Sequence, residues 1–187
     1  MPSQFNSYID RINTEMWRNL CVTNGQLRHY NRGDEFITAG KVGQYIGFIE
    51  SGSLKYECYS EDGTPHVIGL EFEGQFVCDF PFSLYGCKSR ASIIATTPCD
   101  IYCLSSKWLA EQQLVDPEIK ELIYLTTREV FATLYDRYVD LYTKTAKQRY
   151  DELLVQDRNL FALYSLQDIA SLLNITPTHL SRLRKQV

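Results

Sequence analysis

The chain has 187 residues, of which 44% are hydrophobic and 22% are charged, so its composition is that of a folded globular protein. No apolar run is long enough to span a membrane, and the N-terminus lacks the apolar stretch of a signal peptide. These features exclude the membrane and secreted classes and predict a cytoplasmic protein.

The net charge of −4 is unevenly distributed along the chain. Residues 144–187 carry seven basic and four acidic side chains, a net charge of +3, which leaves −7 on residues 1–143. An acidic body with a basic C-terminal segment is typical of a protein in which only that segment contacts nucleic-acid phosphates.

The N-terminal residues 1–19 mix charged and apolar side chains in a pattern that predicts an amphipathic helix. Six cysteines occur in the chain without a CxxC pair, and no histidine is near enough in sequence to complete a metal site with them. We therefore expect no bound metal, and thiols that are reduced and mostly buried. The cysteines are Cys21, Cys58, Cys78, Cys87, Cys99 and Cys103.

Short segments rich in Val, Ile, Phe and Tyr alternate with turn sequences between residues 25 and 104. This spacing predicts a compact antiparallel β-sandwich or roll. The clearest element is a hairpin that joins Leu54–Ser60 to His66–Phe72 through Asp62-Gly63, because glycine supplies the positive φ that a tight turn needs.

From Pro117 the apolar residues recur at steps of three and four, which predicts a helix over residues 117–143, about 40 Å long. Asp116 is the expected N-cap. The apolar surface of this helix is too wide for a single contact. We expect the β domain to cover one side and a second copy of the chain the other, the alternative being a helix buried within a monomer. Thr143-Lys144-Thr145 then predicts a hinge before a shorter helix over 146–155.

The C-terminal residues have the pattern of a helix-turn-helix. A helix over Leu166–Leu173 places the small Ala170 where a second helix crosses it, and Asn174 tolerates the left-handed turn between the two helices. The second helix begins at Thr176-Pro177, with threonine as its N-cap and proline at its first helical position.

The second of these helices exposes a polar and basic face suited to the major groove of DNA. The predicted DNA-binding residues are Thr176, Thr178, His179, Ser181, Arg182, Arg184 and Lys185. We expect Arg182 to make two hydrogen bonds to a guanine, Arg184 and Lys185 to hold phosphate groups, and the hydroxyl and imidazole groups to touch base edges. The alternative is an ordinary helical hairpin with a solvated basic face.

Three stretches of the sequence, together with the long helix, are similar to a known family. They are YNRGDEFITAG, YIGFIESGSLKYECYSEDGTPHVIGLEFEGQFVCDF and LQDIASLLNITPTHLSRLRK. In this order they resemble the Crp/Fnr family of transcription regulators, which includes the cyclic-AMP receptor protein.

This resemblance implies an α+β fold with three parts. An N-terminal antiparallel β-roll of the cyclic-nucleotide-binding type, a double-stranded β-helix, occupies residues 1–115 and senses an effector. A long dimerisation helix occupies residues 116–143, and a helix-turn-helix DNA-binding domain occupies residues 144–187. The resemblance also implies a homodimer on near-palindromic double-stranded DNA, in contact with RNA polymerase.

The effector site is where the sequence departs from the cyclic-nucleotide-binding members of the family. Those members hold the ribose with Gly-Glu-Leu, the phosphate with Arg-Ser and the purine with Thr-Ser. The positions that correspond in this chain are Cys78, Asp79 and Phe80, then Ser89 and Arg90, then Leu134 and Tyr135. The order Ser89-Arg90 is inverted, which turns Arg90 towards the opposite face of a strand.

We therefore expect the β-roll to respond to a different small effector, or to none, rather than to cyclic AMP. A reactive thiol at Cys78 or Cys87 is an alternative sensor. Only Cys21 lies where the iron-sulfur branch of the family carries a cysteine cluster, and no histidine suggests a haem ligand, so neither cofactor is expected.

No residue pattern predicts an enzyme, because the three histidines lie far apart in sequence and no nucleophile–base pair or phosphate-binding glycine loop is recognisable. Members of the family usually carry a β-hairpin wing after the recognition helix, and the sequence ends at Val187 without one. This predicts a short form of the family. The alternative function is a cyclic-nucleotide-binding sensor module with weak or lost DNA binding.

Overall fold

The computed structural model describes residues 6, 8–156 and 160–185. After a short 3-10 helix at Ile9–Arg11, the first α-helix, α1, spans Thr14–Asn24. It begins later than the sequence predicts because the Asn13 side chain caps it by accepting a hydrogen bond from the Met16 N–H. Of the other residues of the predicted N-terminal helix, 6 and 8–13 are not part of α1, and residues 1–5 and 7 lie outside the described residues.

Eight antiparallel strands form the predicted β-roll, arranged as two four-stranded sheets. One sheet has the order β1-β8-β3-β6 and the other the order β2-β7-β4-β5. The strands are β1 Gln26–Tyr30, β2 Glu35–Ile37, β3 Tyr45–Ser51, β4 Ser53–Tyr59, β5 Pro65–Phe72, β6 Phe76–Val77, β7 Ser92–Ala95 and β8 Cys99–Ser105. Apolar side chains from both sheets fill the space between them, among them Ile49, Leu54, Ile93 and Ile101.

The predicted hairpin is confirmed in β4 and β5, which pair from Ser53 opposite Phe72 to Tyr59 opposite Pro65. Gly63 in the turn has a φ of 83°, a conformation that side-chain-bearing residues rarely adopt. The Asp62 carboxylate accepts hydrogen bonds from the Thr64 N–H and the Ser60 hydroxyl, so the turn is also held by its own side chains.

The long helix, α3, spans Pro117–Thr143, as the sequence predicts, and follows the shorter α2 at Ser106–Gln112. The Asp116 carboxylate caps α3 by accepting from the N–H groups of its first turn. One face of α3 packs on the β-roll and on α1, where the Trp17 indole donates to the Thr126 hydroxyl at 2.9 Å.

The opposite face of α3 is exposed and strongly apolar. Its large side chains are Tyr124, Phe131, Leu134, Tyr135, Tyr138, Leu141 and Tyr142. We call this set the aromatic stripe. Within it, the rings of Phe131 and Tyr135 are stacked, and those of Tyr138 and Tyr142 meet edge to face. The two-sided helix that the sequence predicts is therefore present, with one side covered by the β-roll.

A break at Lys144 separates α3 from the C-terminal helices, at the position of the predicted hinge. These helices are α4 Ala146–Gln156, α5 Leu160–Leu163, α6 Leu166–Leu172 and α7 Pro177–Arg184. They share an apolar core that includes Tyr150, Leu160, Ile169 and Leu180.

Candidate DNA-binding and effector sites

The helix-turn-helix is built from α6, α7 and the turn between them. Ser165 and Asp168 form a reciprocal capping box at the start of α6. Asn174 has a φ of 53°, so the turn adopts the left-handed conformation that the sequence predicts there. Thr176 caps α7 by accepting from the His179 N–H at 3.2 Å.

The two helices cross closely because the residue at their contact is small. Ala170 is fully buried, as are Ile169 on the same helix and Leu180 on α7. A larger side chain at Ala170 would push α7 outward, so the packing fixes the angle at which α7 leaves the domain.

The outward face of α7 carries the residues that the sequence assigned to DNA. The exposed ones are Thr176, Thr178, His179, Arg182, Arg184 and Lys185, whereas Ser181 is half-buried. Arg184 differs from the others in its environment, since its guanidinium lies 4.3 Å from the centre of the Phe161 ring. This contact places Arg184 beside α5, whereas Arg182 on α7 and Lys185 at its C-cap are exposed without such a ring contact among the described residues.

The C-terminal helices are docked on the β-roll, a relationship that the sequence did not predict. Lys55 Nζ on β4 lies 2.9 Å from the Asp168 carboxylate and 2.6 Å from that of Glu57. The backbone N–H of Val67 donates to the Ser171 hydroxyl at 2.9 Å. The capping box of α6 is thereby tied directly to the β-roll.

Among the predicted effector residues, the structure brings Cys78, Asp79 and Ser89 together inside the roll. Cys78 and Ser89 are buried, and the Tyr56 hydroxyl donates to the Cys78 carbonyl at 3.0 Å. Burial raises the pKa of the Asp79 carboxyl, and the nearby Ser89 hydroxyl opposes this rise. One oxygen of Asp79 is buried without a hydrogen-bond partner among the described residues.

The other predicted effector residues lie elsewhere. Arg90 is exposed while Ser89 is buried, so the two side chains leave the chain in different directions. Phe80 packs edge-on against Trp17 in the core. Leu134 and Tyr135 are both about half exposed and belong to the aromatic stripe.

A cavity of about 390 Å³ lies between β5, α3, α4 and α6. Its walls are mostly apolar, with Leu134, Leu153 and Leu172 among them, and Arg149 contributes charge. Arg149 also braces this junction, because its guanidinium donates to the carbonyls of Lys144 and Leu173 at 2.7 and 3.0 Å. The end of α3 and the end of α6 are therefore joined through one side chain.

A buried polar cluster escaped the sequence analysis. The Glu71 carboxylate on β5 accepts hydrogen bonds from the Tyr8 hydroxyl at 2.7 Å and from the Asn6 amide at 3.1 Å. Arg137 from α3 donates to the Asn6 side-chain oxygen at 2.6 Å. The sequence does hold one indication of this cluster, because Glu71 is the single charged residue in the apolar stretch from Val67 to Phe72. A carboxyl group in a buried strand needs hydrogen-bond partners in the protein interior.

Burial raises the pKa of Glu71 to about 8, against the opposing effects of Tyr8 and Arg137. In the unfolded chain this carboxyl ionises near its ordinary pKa of about 4.3, so over the intervening pH range the folded state holds a proton that the unfolded state lacks. The contribution of Glu71 to the free energy of unfolding should therefore fall as pH rises from about 5 to about 8. Urea unfolding of the wild type and of Glu71→Gln across this range should show a downward slope with pH that the variant lacks.

The groups around Glu71 do not change their charge over this pH range. The pKa values of Tyr8 and Tyr56 are raised above their usual range by burial, so both stay neutral, and Arg137 remains a cation. Among the described residues, the pKa of the Asp79 carboxyl is raised as well. The variant Asp79→Asn therefore serves as the control for the contribution of Asp79 to the pH dependence of the free energy of unfolding. Parallel curves for the wild type and Glu71→Gln would contradict the assignment.

Potential metal ligands are scattered over the described part of the chain. Among residues 6, 8–156 and 160–185, no group of three or more His, Cys, Asp or Glu side chains is arranged to hold a metal ion. The six thiols are free, with Cys87 exposed, Cys58 half-buried and the others buried. None of the described helices is long and apolar enough to cross a membrane.

Comparisons with known proteins agree with this architecture. Residues 27–112 match the family model of the cyclic nucleotide-binding domain. No curated protein matches the sequence. FixK2 from Bradyrhizobium japonicum has a similar structure, with a TM-score of 0.77 and 17% identity, over 87% of this chain and 83% of that one.

Two further solved structures are similar over nearly the whole chain. The c-di-GMP responsive global regulator CLP of Xanthomonas campestris gives a TM-score of 0.65 at 17% identity, over 93% of this chain and 91% of that one. A regulator from Eubacterium rectale assigned to the Crp/Fnr family gives a TM-score of 0.71 at 12% identity, over 95% and 84%. Residues 27–112 of the chain are therefore similar to the cyclic nucleotide-binding domain, and the chain shares its fold with FixK2 and with the Eubacterium rectale protein.

Proposed function

We propose that the protein is a homodimeric, DNA-binding transcription regulator, with the β-roll as its sensor and α7 as its recognition helix. The observation that carries the proposal is the helix-turn-helix itself, in which capped helices, a left-handed turn at Asn174 and a buried Ala170 present an exposed polar face on α7. The names of the similar structures support it, since CLP is called a global regulator and the Eubacterium rectale protein a transcriptional regulator.

In this proposal the N-terminal half of α7 enters the major groove of DNA. Thr178 and His179 stand in its first turn and Arg182 follows one turn later, so the three share the side of α7 that is turned to solvent. An arginine placed there pairs with the two acceptors that guanine presents in the groove. Lys185 contacts phosphate and fixes the register of the helix without reading sequence.

The aromatic stripe supports the homodimer. A large apolar surface along one face of a helix is costly to leave in water, and pairing it with the same face of a second chain buries both copies through a twofold axis. Two recognition helices about 34 Å apart would then meet successive major grooves of a near-palindromic site. By resemblance to the family, RNA polymerase is the further partner.

For the sensor we propose a small effector other than cyclic AMP, or none. Arg90 stands on the surface beside a buried Ser89, so the two do not form an internal anion clamp. A half-buried Asp79, with one unpartnered oxygen, favours a ligand that donates hydrogen bonds over one that carries a phosphate near this point. We propose no metal or redox cofactor and no enzymatic activity.

Selection from a library of random 30-base-pair duplexes tests DNA binding and identifies the operator in the same experiment. The wild type should enrich a near-palindromic sequence. Arg182→Ala should bind that sequence about tenfold or more weakly and should lose preference at one base pair of each half-site, because a bidentate contact contributes about 1–3 kcal/mol. Arg32→Ala, which removes an exposed arginine from a turn of the β-roll, is the matched control and should bind as the wild type does.

A second candidate function is a cyclic-nucleotide sensor with weak or lost DNA binding. It is favoured by the match of residues 27–112 to the cyclic nucleotide-binding domain. If the library shows no enrichment and calorimetry detects cyclic AMP binding that Asp79→Ala abolishes, this function replaces the first. Unchanged sequence preference in Arg182→Ala would overturn the role of α7 directly.

A further inference from the structure

The buried carboxylate of Glu71 joins parts of the molecule that are far apart in sequence. Its two oxygens accept hydrogen bonds from Tyr8 and Asn6, which precede α1 by a few residues. The Asn6 amide also reaches the Leu70 carbonyl at 3.0 Å and the Gln75 side chain at 3.2 Å. The segment that precedes α1 is therefore bonded to both the side chain and the backbone of β5.

The same cluster includes α3 through Arg137. Its guanidinium donates to the Asn6 side-chain oxygen at 2.6 Å, and its positive charge faces Glu71. Groups of this polarity are costly to bury unless each has a partner, so the hydrogen bonds within the cluster stabilise its members together. The three elements hence adopt this arrangement together: the segment before α1, β5 and α3.

The C-terminal helices contact the backbone of the same residue, Glu71. The Tyr164 hydroxyl, at the end of α5, donates to the Glu71 carbonyl at 2.7 Å and lies 3.3 Å from the Leu54 carbonyl. Two nearby contacts complete this junction, the Lys55–Asp168 ion pair and the Val67–Ser171 hydrogen bond. Glu71 is thus hydrogen-bonded through its side chain to Asn6 and Tyr8. Through its carbonyl it is bonded to Tyr164 in the C-terminal part of the chain.

We propose that Asn6 and Tyr8 act as an internal latch, whose hydrogen bonds to Glu71 position β5 so that the C-terminal helices remain docked on the β-roll. Releasing the latch frees the Glu71 side chain, lets β5 and α3 move apart, and weakens the hydrogen bonds that Tyr164 and Ser171 make to the same strand. The docked unit is the DNA-binding one under the proposed function, but the latch itself is a property of the fold.

Amide hydrogen exchange of the full-length protein measures docking directly. The Val67 N–H donates to Ser171 on α6, so its exchange rate reports the separation of the C-terminal helices from β5. Tyr8→Phe removes only the hydroxyl that binds Glu71 and should raise the Val67 exchange rate at least threefold. Tyr45→Phe is the matched control, since it also removes one 2.7 Å hydroxyl contact, with Arg28, from the other sheet, and it should leave Val67 unchanged.

Exchange rates at Val67 and in the core of the roll separate release of the latch from general destabilisation. A Tyr8→Phe rate at Val67 equal to that of the wild type overturns it, and so does an equal rise at Ile93 and Ile101 in the core of the roll, which would indicate general destabilisation. The double variant Tyr8→Phe/Tyr164→Phe should raise Val67 exchange by much less than the product of the two single effects, because opening the latch already weakens the Tyr164 hydrogen bond, so the two contacts are energetically coupled. A multiplicative effect would show that the two contacts are independent.

The outcome for DNA is read separately. If the wild type selects DNA, Tyr8→Phe should weaken that binding at least threefold, because undocking loses the preset orientation of α7. If the wild type selects no DNA, the proposed function fails, whereas the exchange result at Val67 still decides whether the latch exists.

Discussion

The double variant Phe131→Glu/Tyr138→Glu is expected to be a monomer and to bind a two-half-site DNA at least about a hundredfold more weakly than the wild type. Phe131 and Tyr138 are 69% and 59% exposed on α3, within the aromatic stripe. In the proposed dimer they meet the partner's α3, where four buried carboxylates around the twofold axis could not be paired. Each chain would then bind one half-site, without the gain in affinity that linkage of two sites provides.

Sedimentation analysis gives the mass of the variant, and fluorescence anisotropy with the selected duplex gives its affinity. Phe82→Glu/Tyr85→Glu is the matched control, because it makes the same two substitutions at exposed residues of the short 3-10 helix at Phe82–Tyr85. It should remain dimeric and bind normally. A dimeric Phe131→Glu/Tyr138→Glu protein would show that the aromatic stripe is not the dimer contact.

Leu180→Ala is expected to unfold the C-terminal helices while the β-roll stays folded. Leu180 is fully buried between α6 and α7, and truncating such a leucine costs about 2–5 kcal/mol, as much as a small helical unit holds in total. The chain offers a clean measurement, because its two tryptophans, Trp17 and Trp108, both lie outside α4–α7. Far-ultraviolet circular dichroism should show lost helix while tryptophan emission stays at its native maximum.

Val155→Ala, which shortens an exposed side chain of α4, controls for the general effect of an alanine substitution in this region and should leave both signals unchanged. Loss of helix accompanied by a shift of the tryptophan emission would mean that the roll and the C-terminal helices unfold as one unit. That result would place the docking contacts of Lys55 and Tyr164 among the interactions that hold the roll itself.

The elements that the sequence predicted correctly are those specified by a few adjacent residues. Asp116 caps α3, Asn174 takes the left-handed turn, and Asp62-Gly63 closes the hairpin, each through chemistry that acts within three or four positions. The helix-turn-helix was legible for the same reason, since its caps, its turn and its small contact residue lie within one short stretch. The late start of α1 follows from Asn13, a cap that the pattern of charged residues did not reveal.

Sequence periodicity could not predict the contacts that join the N-terminal residues and the C-terminal helices to the β-roll. Tyr8 and Glu71 are 63 positions apart, and Lys55 and Asp168 are 113 apart, so no local pattern pairs them. Both sets depend on how the sheets stack and where α3 lies on them. The placement of Phe80 against Trp17 likewise depends on where α1 packs, which no local pattern specifies.

The composition of the aromatic stripe affects how dimerisation of the proposed regulator depends on its concentration in the cell. Four of its seven side chains are tyrosines, whose hydroxyl groups stay hydrated on an isolated chain, so a monomer is tolerable in water where a leucine stripe would aggregate. Assembly then becomes a reversible equilibrium set by abundance. At low abundance the concentration of dimer follows the square of chain concentration, so doubling gene dosage would raise operator occupancy about fourfold and make the response steeper than a preassembled dimer allows.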